Sequence, residues 1–245
     1  MHVSALLYTR RFDFPYRTVR PSLEIMIASL PRAGSTTFCI DLWRSGLLGA
    51  PMEYLNRELM LSQLRWRKLL RKELHYWRML QRVRTGPNGV FSYKFFVQDY
   101  LHTLKTMPKL IKCVAPARVI YLTRQDKLSQ AISYSKAIRS GNWFADQPGR
   151  KSCEYDDPHI KTCVGAVARQ EDAWEQVFRM THEDPLRMTY EEFLADKASA
   201  MARIMRYVFG APQDSKELPI PQIGIQRDQE SIEWRRRFAE ANATY

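Results

Sequence analysis

The amino-acid sequence predicts an α/β fold of three layers, in which helices flank a central, mainly parallel sheet. Short apolar runs that suit buried strands alternate with longer segments whose apolar residues recur at helical spacing. The 245 residues are 45% hydrophobic, enough to bury a sizeable core. We expect a single domain over residues 22–245, preceded by an irregular extension over residues 1–21 and carrying a basic helical insertion around residues 55–84.

The first half of the chain supplies a strand, a tight loop and a helix, followed by a long basic segment. The apolar run at residues 23–30 suits a buried strand. Ser35–Arg44 is helical until the glycines that follow end it. Residues 54–84 carry a leucine stripe among many Arg and Lys residues, and the G-P-N-G turn at residues 86–89 ends this helical pattern.

The second half adds three strands with helices between them. The predicted strands are residues 90–97, residues 117–123 and Leu186–Thr189. Asp126 is expected to cap the helix that follows the third strand of the chain, and Gly141 lies just past the end of that helix. Strands that alternate with helices in this way favour parallel pairing.

Composition narrows the class of protein. A formal net charge of +12 predicts attraction to polyanions, without separating nucleic acid, anionic membranes and small phosphorylated ligands. The four cysteines form no C-x-x-C pair, which argues against a zinc site, and the chain is too long for a disulfide scaffold. Because we find no signal-peptide h-region and no apolar run of about 18 residues, we expect a soluble, cytoplasmic protein.

The segment S-L-P-R-A-G-S-T-T-F, residues 29–38, predicts an anion site at the carboxyl end of the first strand. Its backbone N–H groups and the following helix N-terminus can surround a phosphate, and the side chains of Arg32, Ser35, Thr36 and Thr37 add donors. The triphosphatase pattern G-x-x-x-x-G-K-[ST] is absent because Ser35 stands where the lysine is needed, which disfavours ATP hydrolysis. A plain strand-to-helix turn with a capping serine is the alternative.

This loop resembles the 5'-phosphosulfate loop, P-K/R-S-G-S/T-T, of sulfotransferases that use 3'-phosphoadenosine 5'-phosphosulfate (PAPS). The resemblance implies a P-loop-like fold. It puts Arg32 at the basic position, Gly34 at the glycine, and Ser35 and Thr36 at the hydroxyl positions. Ala33 replaces the usual serine, which removes one hydroxyl contact and leaves the backbone amide.

A second segment, Y-L-T-R-Q-D-K-L-S-Q-A-I-S-Y, resembles the 3'-phosphate motif of the same family. The resemblance implies that Arg124 and Ser133 hold the 3'-phosphate, with Ser129, one turn earlier, as the alternative. A guanidinium offers a planar fork to phosphate oxygens, and Ser133 lies about two turns into a helix that begins at the same edge of the sheet. The other interpretation of Arg124 is a surface salt bridge with Asp126 or Glu24.

A third stretch, G-L-L-G-A-P-M-E-Y-L, resembles the trehalose 2-sulfotransferase branch of bacterial carbohydrate sulfotransferases, in which a glutamate after G-x-P-x is the catalytic base. The resemblance implies that Glu53 is that base, whereas a carboxylate favouring a helix N-terminus is the alternative. Because that branch also carries a lysine here, the resemblance implies that Lys94 helps to neutralise the sulfate, whereas a solvent-facing strand residue is the alternative. The resemblance to the wider family implies that Arg227 closes over the 3'-phosphate. Trp143 is expected to cover the sugar or the adenine unless it is a core residue.

Taken together, the resemblances imply an enzyme that transfers a sulfuryl group from PAPS to a carbohydrate or glycolipid hydroxyl by in-line displacement. Adenosine 3',5'-bisphosphate is the product, Glu53 and Arg32 are the expected catalytic residues, and no metal is required. Family members often form homodimers.

Two alternatives remain, a basic protein that binds nucleic acid through the arginine-rich helix 57–84 and a degenerate P-loop kinase. For the enzyme no nucleic-acid partner is expected, and the basic helix suits a membrane-associated acceptor as well as a solvated surface.

Overall fold

One parallel sheet organises the protein. The computed structural model describes residues 7, 9–56, 73–143, 152–211, 213 and 229–242. Its strands are β1 (Leu23–Ser29), β2 (Val90–Phe96), β3 (Arg118–Thr123) and β4 (Leu186–Thr189). They lie in the order β2-β1-β3-β4, and all three neighbouring pairs are parallel. The predicted α/β fold with a parallel sheet is therefore confirmed.

Helices connect the strands, as parallel pairing requires. In the described part of the chain the α-helices are α1 (Ser35–Arg44), α2 (Glu73–Arg84), α3 (Val97–Thr106), α4 (Pro108–Ile111), α5 (Lys127–Ser140), α6 (Asp157–Thr181), α7 (Tyr190–Ala195), α8 (Lys197–Phe209) and α9 (Gln229–Asn242). None of these helices is both long and apolar enough to cross a bilayer.

The central strand buries both of its faces. Met26 and Ala28 belong to a cluster that includes residues of α2 and α6. Ile25 and Ile27 belong to a second cluster, which includes residues of α7 and α8. Successive side chains of a strand point to opposite faces, so the two clusters mark two helical layers with the sheet between them.

The sequence signals at the ends of α5 act as expected. Asp126 is the residue before the helix, and its Oδ1 accepts a hydrogen bond from the backbone N–H of Ser129 at 3.0 Å. Gly141 follows the helix with φ of 72°, the left-handed conformation that glycine adopts without steric cost. This helix therefore begins and ends where its local sequence specifies.

The described part of the N-terminal segment packs on the main body of the protein. Phe12 is buried, and its ring centroid lies 4.5 Å from that of Trp43 in α1. The buried Arg84, at the end of α2, reaches Asp13 with Nε at 3.0 Å and donates from Nη1 to the carbonyl of Leu7. The division into an extension and a domain remains a prediction.

Candidate active site

The predicted site residues meet at the carboxyl edge of the sheet. The loop after β1 contains Arg32, Arg124 follows β3, and α7 begins directly after β4. Glu53 enters the same region because Met52 pairs with β2, where the backbone N–H of Lys94 donates to the carbonyl of Met52 at 2.9 Å. Four separate parts of the sequence therefore contribute to one site.

The loop between β1 and α1 has an unusual backbone. Arg32 has φ of 64° and Gly34 has φ of 78°; positive φ is uncommon for a residue other than glycine, and such strain often marks functional sites. A Cβ at Gly34 would lie 2.5 Å from the ring of Tyr190, so glycine is needed here for space as well as for conformation. Gln130 supports the loop by donating from Nε2 to the carbonyl of Pro31 at 2.9 Å.

Two arginines and one serine lie together beside the β1–α1 loop. Arg32 donates from Nε to Ser133 Oγ at 2.9 Å and from Nη1 to the carbonyl of Trp143 at 2.6 Å. Arg124 donates from Nη1 to the carbonyl of Arg32 at 3.3 Å. Burial, and then the nearby charge of Arg124, lower the pKa of Arg32 to about 10. Two cations that destabilise each other in this way are well placed to bind an anion, which would relieve the repulsion.

Arg124 is oriented by an acid that the sequence analysis did not identify. Its Nε lies 3.7 Å from Glu191 Oε1, and Glu191 also accepts from the backbone N–H groups of Gln125 and Asp126 at 2.9 and 3.3 Å. Glu24 lies near the opposite end of β1. The carboxylate of Glu191 thus joins the start of α7 to the turn before α5 and places Arg124 beside the loop.

Ser129, the alternative to Ser133, contacts the C-terminal helix. Arg235 of α9 donates from Nη1 to Ser129 Oγ at 2.7 Å and pairs with Asp126. Burial alone would raise the pKa of Asp126, but hydrogen bonds from Arg235 and Ser129 outweigh it and lower that pKa to about 2. Helix α9 is therefore held by charge against the N-terminus of α5.

A buried ion pair forms the second part of the site. Lys94 Nζ lies 2.7 Å from Glu53 Oε1 and donates to Ser35 Oγ at 3.2 Å. Only 4% of Lys94 and 9% of Glu53 is exposed. Asn56 Nδ2 donates to Glu53 Oε2 at 2.9 Å. The alternative interpretation of Lys94 as a solvent-facing strand residue is therefore wrong, since this lysine joins the candidate base to the first residue of α1.

The remaining predicted residues differ in their surroundings. Ala33 is fully buried, whereas Thr36 and Thr37 are partly exposed in the first turn of α1. Trp143 is 41% exposed, so it is not a core tryptophan, and its carbonyl accepts from Arg32. Arg227 lies outside the described residues, as do residues 57–72, which make up most of the arginine-rich segment.

Sequence reasoning missed several residues that support the site, above all Tyr190 and Glu191. Both follow β4 directly, so the rule that ligands bind at the carboxyl ends of parallel strands could have identified them. Gln130 and Asn56 gave no such signal, because only the fold brings them next to Pro31 and Glu53. Among the described residues, no group of three or more His, Cys, Asp or Glu side chains is placed to hold a metal ion.

Comparisons with known proteins identify the family of this chain. The family model described as Stf0 sulphotransferase matches residues 24–241. The chain is 25% identical over 256 aligned residues to a trehalose 2-sulfotransferase of Mycolicibacterium smegmatis (strain ATCC 700084 / mc(2)155), and this alignment covers 89% of the chain and 94% of the relative. A trehalose 2-sulfotransferase of Mycobacterium tuberculosis (strain ATCC 35801 / TMC 107 / Erdman) is 26% identical over 125 residues, which cover 50% of this chain and 46% of the relative. The family match includes both parts of the site, and the chain therefore belongs to the Stf0 sulphotransferase family, a family of sulfotransferase enzymes.

Proposed function

We propose that this sulfotransferase uses PAPS as its sulfate donor and a hydroxyl of a trehalose-like carbohydrate or glycolipid as its acceptor. One observation carries the proposal. Arg32, Arg124 and Ser133 converge on one side of the β1–α1 loop, while the Lys94–Glu53 pair lies on the other side, next to Ser35. The first group suits the phosphates of the donor, and the second suits a hydroxyl that must lose a proton.

The donor phosphates would be held by the loop and by α5. Arg32, with the backbone N–H groups at the start of α1, would bind the 5'-phosphate, and Arg124 with Ser133 would bind the 3'-phosphate. The pKa of Arg32, lowered first by burial and then by the charge of Arg124, supports this assignment, because each phosphate would give a guanidinium a charge-assisted partner. When bound, PAPS supplies an activated sulfuryl group joined to a phosphate leaving group.

Arg32 would also act during the reaction. Negative charge grows on the bridging oxygen as the bond between sulfur and that oxygen breaks. Donors already aimed at this position stabilise the transition state more than the ground state, and only that difference accelerates the reaction. The Arg32 guanidinium and the loop amides are held in place by Ser133, Gln130 and the packing of Tyr190, so little reorganisation is needed.

Glu53 would accept the proton of the acceptor hydroxyl. A sugar hydroxyl is a weak nucleophile until its proton is removed, and a positioned carboxylate supplies roughly 10² to 10⁴ in rate. Asn56 and Lys94 orient the Glu53 carboxylate. Lys94 is close enough to Ser35 to offer positive charge to both the base and the loop, which supports its proposed role in neutralising the sulfate.

The donor assignment is tested by ligand-induced thermal stabilisation. Adenosine 3',5'-bisphosphate should raise the melting temperature strongly, because a ligand that binds only the folded state stabilises it. ATP with Mg²⁺ should have a much smaller effect. Stabilisation by ATP and Mg²⁺ alone, with ATP turnover, would favour the kinase alternative, whereas stabilisation only by nucleic acid would favour the binding protein.

The acceptor assignment needs a separate assay. The enzyme with PAPS should add the mass of one sulfate to trehalose or to a glycolipid that contains it, as measured by mass spectrometry. A parallel screen of glycans and glycolipids from cells with and without this chain covers other acceptors. If the donor binds but sulfate is transferred only to acceptors unrelated to carbohydrate, the donor assignment stands and the acceptor assignment is wrong.

A further inference from the structure

A cavity lies at the opposite edge of the sheet from the candidate active site. Its volume is about 490 Å³, and its lining comes from residues 18–21, from one face of α2 and from the segment after α4. Glu24, the second residue of β1, also lines it. Ser29 ends the same strand next to the phosphate loop, and at about 3.3 Å per residue the two positions are roughly 17 Å apart. The cavity is therefore separate from the site of sulfuryl transfer.

The lining of this cavity is strongly basic. Its four cations are Arg20, Arg78, Arg82 and Lys112, and all four are exposed. Within the described part of the chain, no acid lies within 4.0 Å of the charged group of any of these four residues. Four positive charges around one opening without a carboxylate partner in the described residues favour an anionic ligand.

Two buried polar atoms of the lining residues have no hydrogen-bond partner among the described residues. One is Oε2 of Glu24, whose other oxygen accepts from Gln81 Nε2 at 2.7 Å. The other is Nε1 of Trp77, a residue that is 1% exposed. Because both atoms are buried, a ligand in the cavity would instead form hydrogen bonds with Glu24 and Gln81, which line it and are partly exposed.

We propose that the cavity binds a phosphate-bearing polyol, with the phosphate at the basic rim and a hydroxyl at Glu24 and Gln81. The volume lies within the range of small-molecule sites. Val19 and Leu74, which line the cavity and are exposed and partly exposed, supply apolar surface of the kind that a sugar or inositol ring covers. The ligand is either a free sugar phosphate or the headgroup of an inositol phospholipid, since the two share this chemistry.

Titration calorimetry with glucose 6-phosphate tests the proposal on the full chain. We expect saturable binding that is tighter than binding of inorganic phosphate, because phosphate alone lacks the hydroxyls. The Arg78→Ala/Lys112→Ala double variant should weaken glucose 6-phosphate binding about tenfold or more, the loss of a charge-assisted contact. Arg179→Ala, which removes an exposed arginine of α6, is the matched control and should bind like the wild type.

Two further measurements separate this cavity from the active site and from a structural effect. Arg32→Ala should leave glucose 6-phosphate binding intact, because Arg32 lies at the other edge of the sheet. Glu24→Gln should reduce the preference for glucose 6-phosphate over inorganic phosphate, because it alters the acceptor without changing the basic rim. The melting temperature of each variant reports whether the fold is retained.

Vesicles of phosphatidylcholine with and without phosphatidylinositol 4-phosphate test the lipid source. Sedimentation with the phosphorylated vesicles alone, reduced by Arg78→Ala/Lys112→Ala, would identify a headgroup, whereas binding of glucose 6-phosphate without vesicle binding would identify a soluble ligand. The proposal is wrong if neither probe binds. It is equally wrong if the double variant binds both probes like the wild type, or if Arg32→Ala abolishes the binding of glucose 6-phosphate.

Discussion

The two parts of the candidate active site balance their charges in opposite ways. On the side of α5, burial and then the nearby charge of Arg124 lower the pKa of Arg32. On the side of β2, Lys94 and Glu53 form a buried pair of opposite sign. The first arrangement becomes more favourable when an anion arrives, whereas the second is already balanced within the protein.

This difference in charge balance predicts different roles for the two sides. We expect the arginine side to bind phosphate without rearrangement of its loop, which Gln130 and Tyr190 already support. On the other side, Lys94 and Asn56 already contact the Glu53 carboxylate. A carboxylate has about four lone-pair directions, so an acceptor hydroxyl can still approach. We therefore expect substitutions on the two sides to separate donor binding from turnover.

Glu53→Gln should show the largest effect. Loss of the proton acceptor should lower kcat by roughly 10² to 10⁴, while the affinity for adenosine 3',5'-bisphosphate stays within about twofold of the wild-type value. Steady-state kinetics and calorimetry measure the two quantities. Glu154→Gln alters an exposed glutamate and should leave both unchanged. Turnover at the wild-type rate in Glu53→Gln would mean that the base is another residue.

Arg124→Ala should show the opposite pattern. Removing a charge-assisted contact to phosphate should weaken the binding of adenosine 3',5'-bisphosphate roughly 10- to 100-fold. Arg124→Lys should recover only part of this affinity, because an ammonium cannot reproduce the guanidinium fork. Arg179→Ala is the control. Unchanged nucleotide affinity in Arg124→Ala would remove Arg124 from the 3'-phosphate site.

Gly34→Ala tests the loop that joins the two sides. The left-handed conformation alone should cost roughly 1–2 kcal/mol of unfolding free energy when alanine replaces glycine. The collision with Tyr190 should add roughly 1 kcal/mol or more. Gly141→Ala is a matched control, because Gly141 has φ of 72° and no atom within 4 Å of an added Cβ. Equal costs in urea denaturation would show that the Tyr190 contact does not constrain the loop.

Ser133→Ala should show the smallest effect. A hydroxyl contact contributes about 1 kcal/mol or less, so nucleotide affinity should fall roughly threefold. Ser129→Ala is the informative comparison, because Ser129 accepts from Arg235 while Ser133 accepts from Arg32. A larger loss of nucleotide affinity in Ser129→Ala than in Ser133→Ala would transfer the assignment to Ser129.

Local sequence determined much of the fold and identified the central residues of the candidate site. The strand before the loop, the helix Ser35–Arg44 and the cap at Asp126 follow from hydrophobic spacing, glycine positions and a capping carboxylate, which act over a few residues. The loop residues Arg32 and Gly34 could be identified for the same reason, since their pattern is contiguous. Arg124 follows the end of a strand, so its position at the carboxyl edge was predictable once the sheet was expected to be parallel.

Only the tertiary structure decided which of these residues meet. Glu191 pairs with Arg124 across 67 positions of sequence, and Lys94 joins Glu53 to Ser35, because the strand order β2-β1-β3-β4 brings their segments together. The pairing of Lys94 with Glu53 follows from burial, which favours a partner of opposite charge within reach. Sequence spacing does not indicate which charged partner a buried side chain can contact, because that partner lies on a segment that is distant along the chain. The candidate residues could therefore be identified from the sequence, whereas the pairing of their charges could be determined only from the fold.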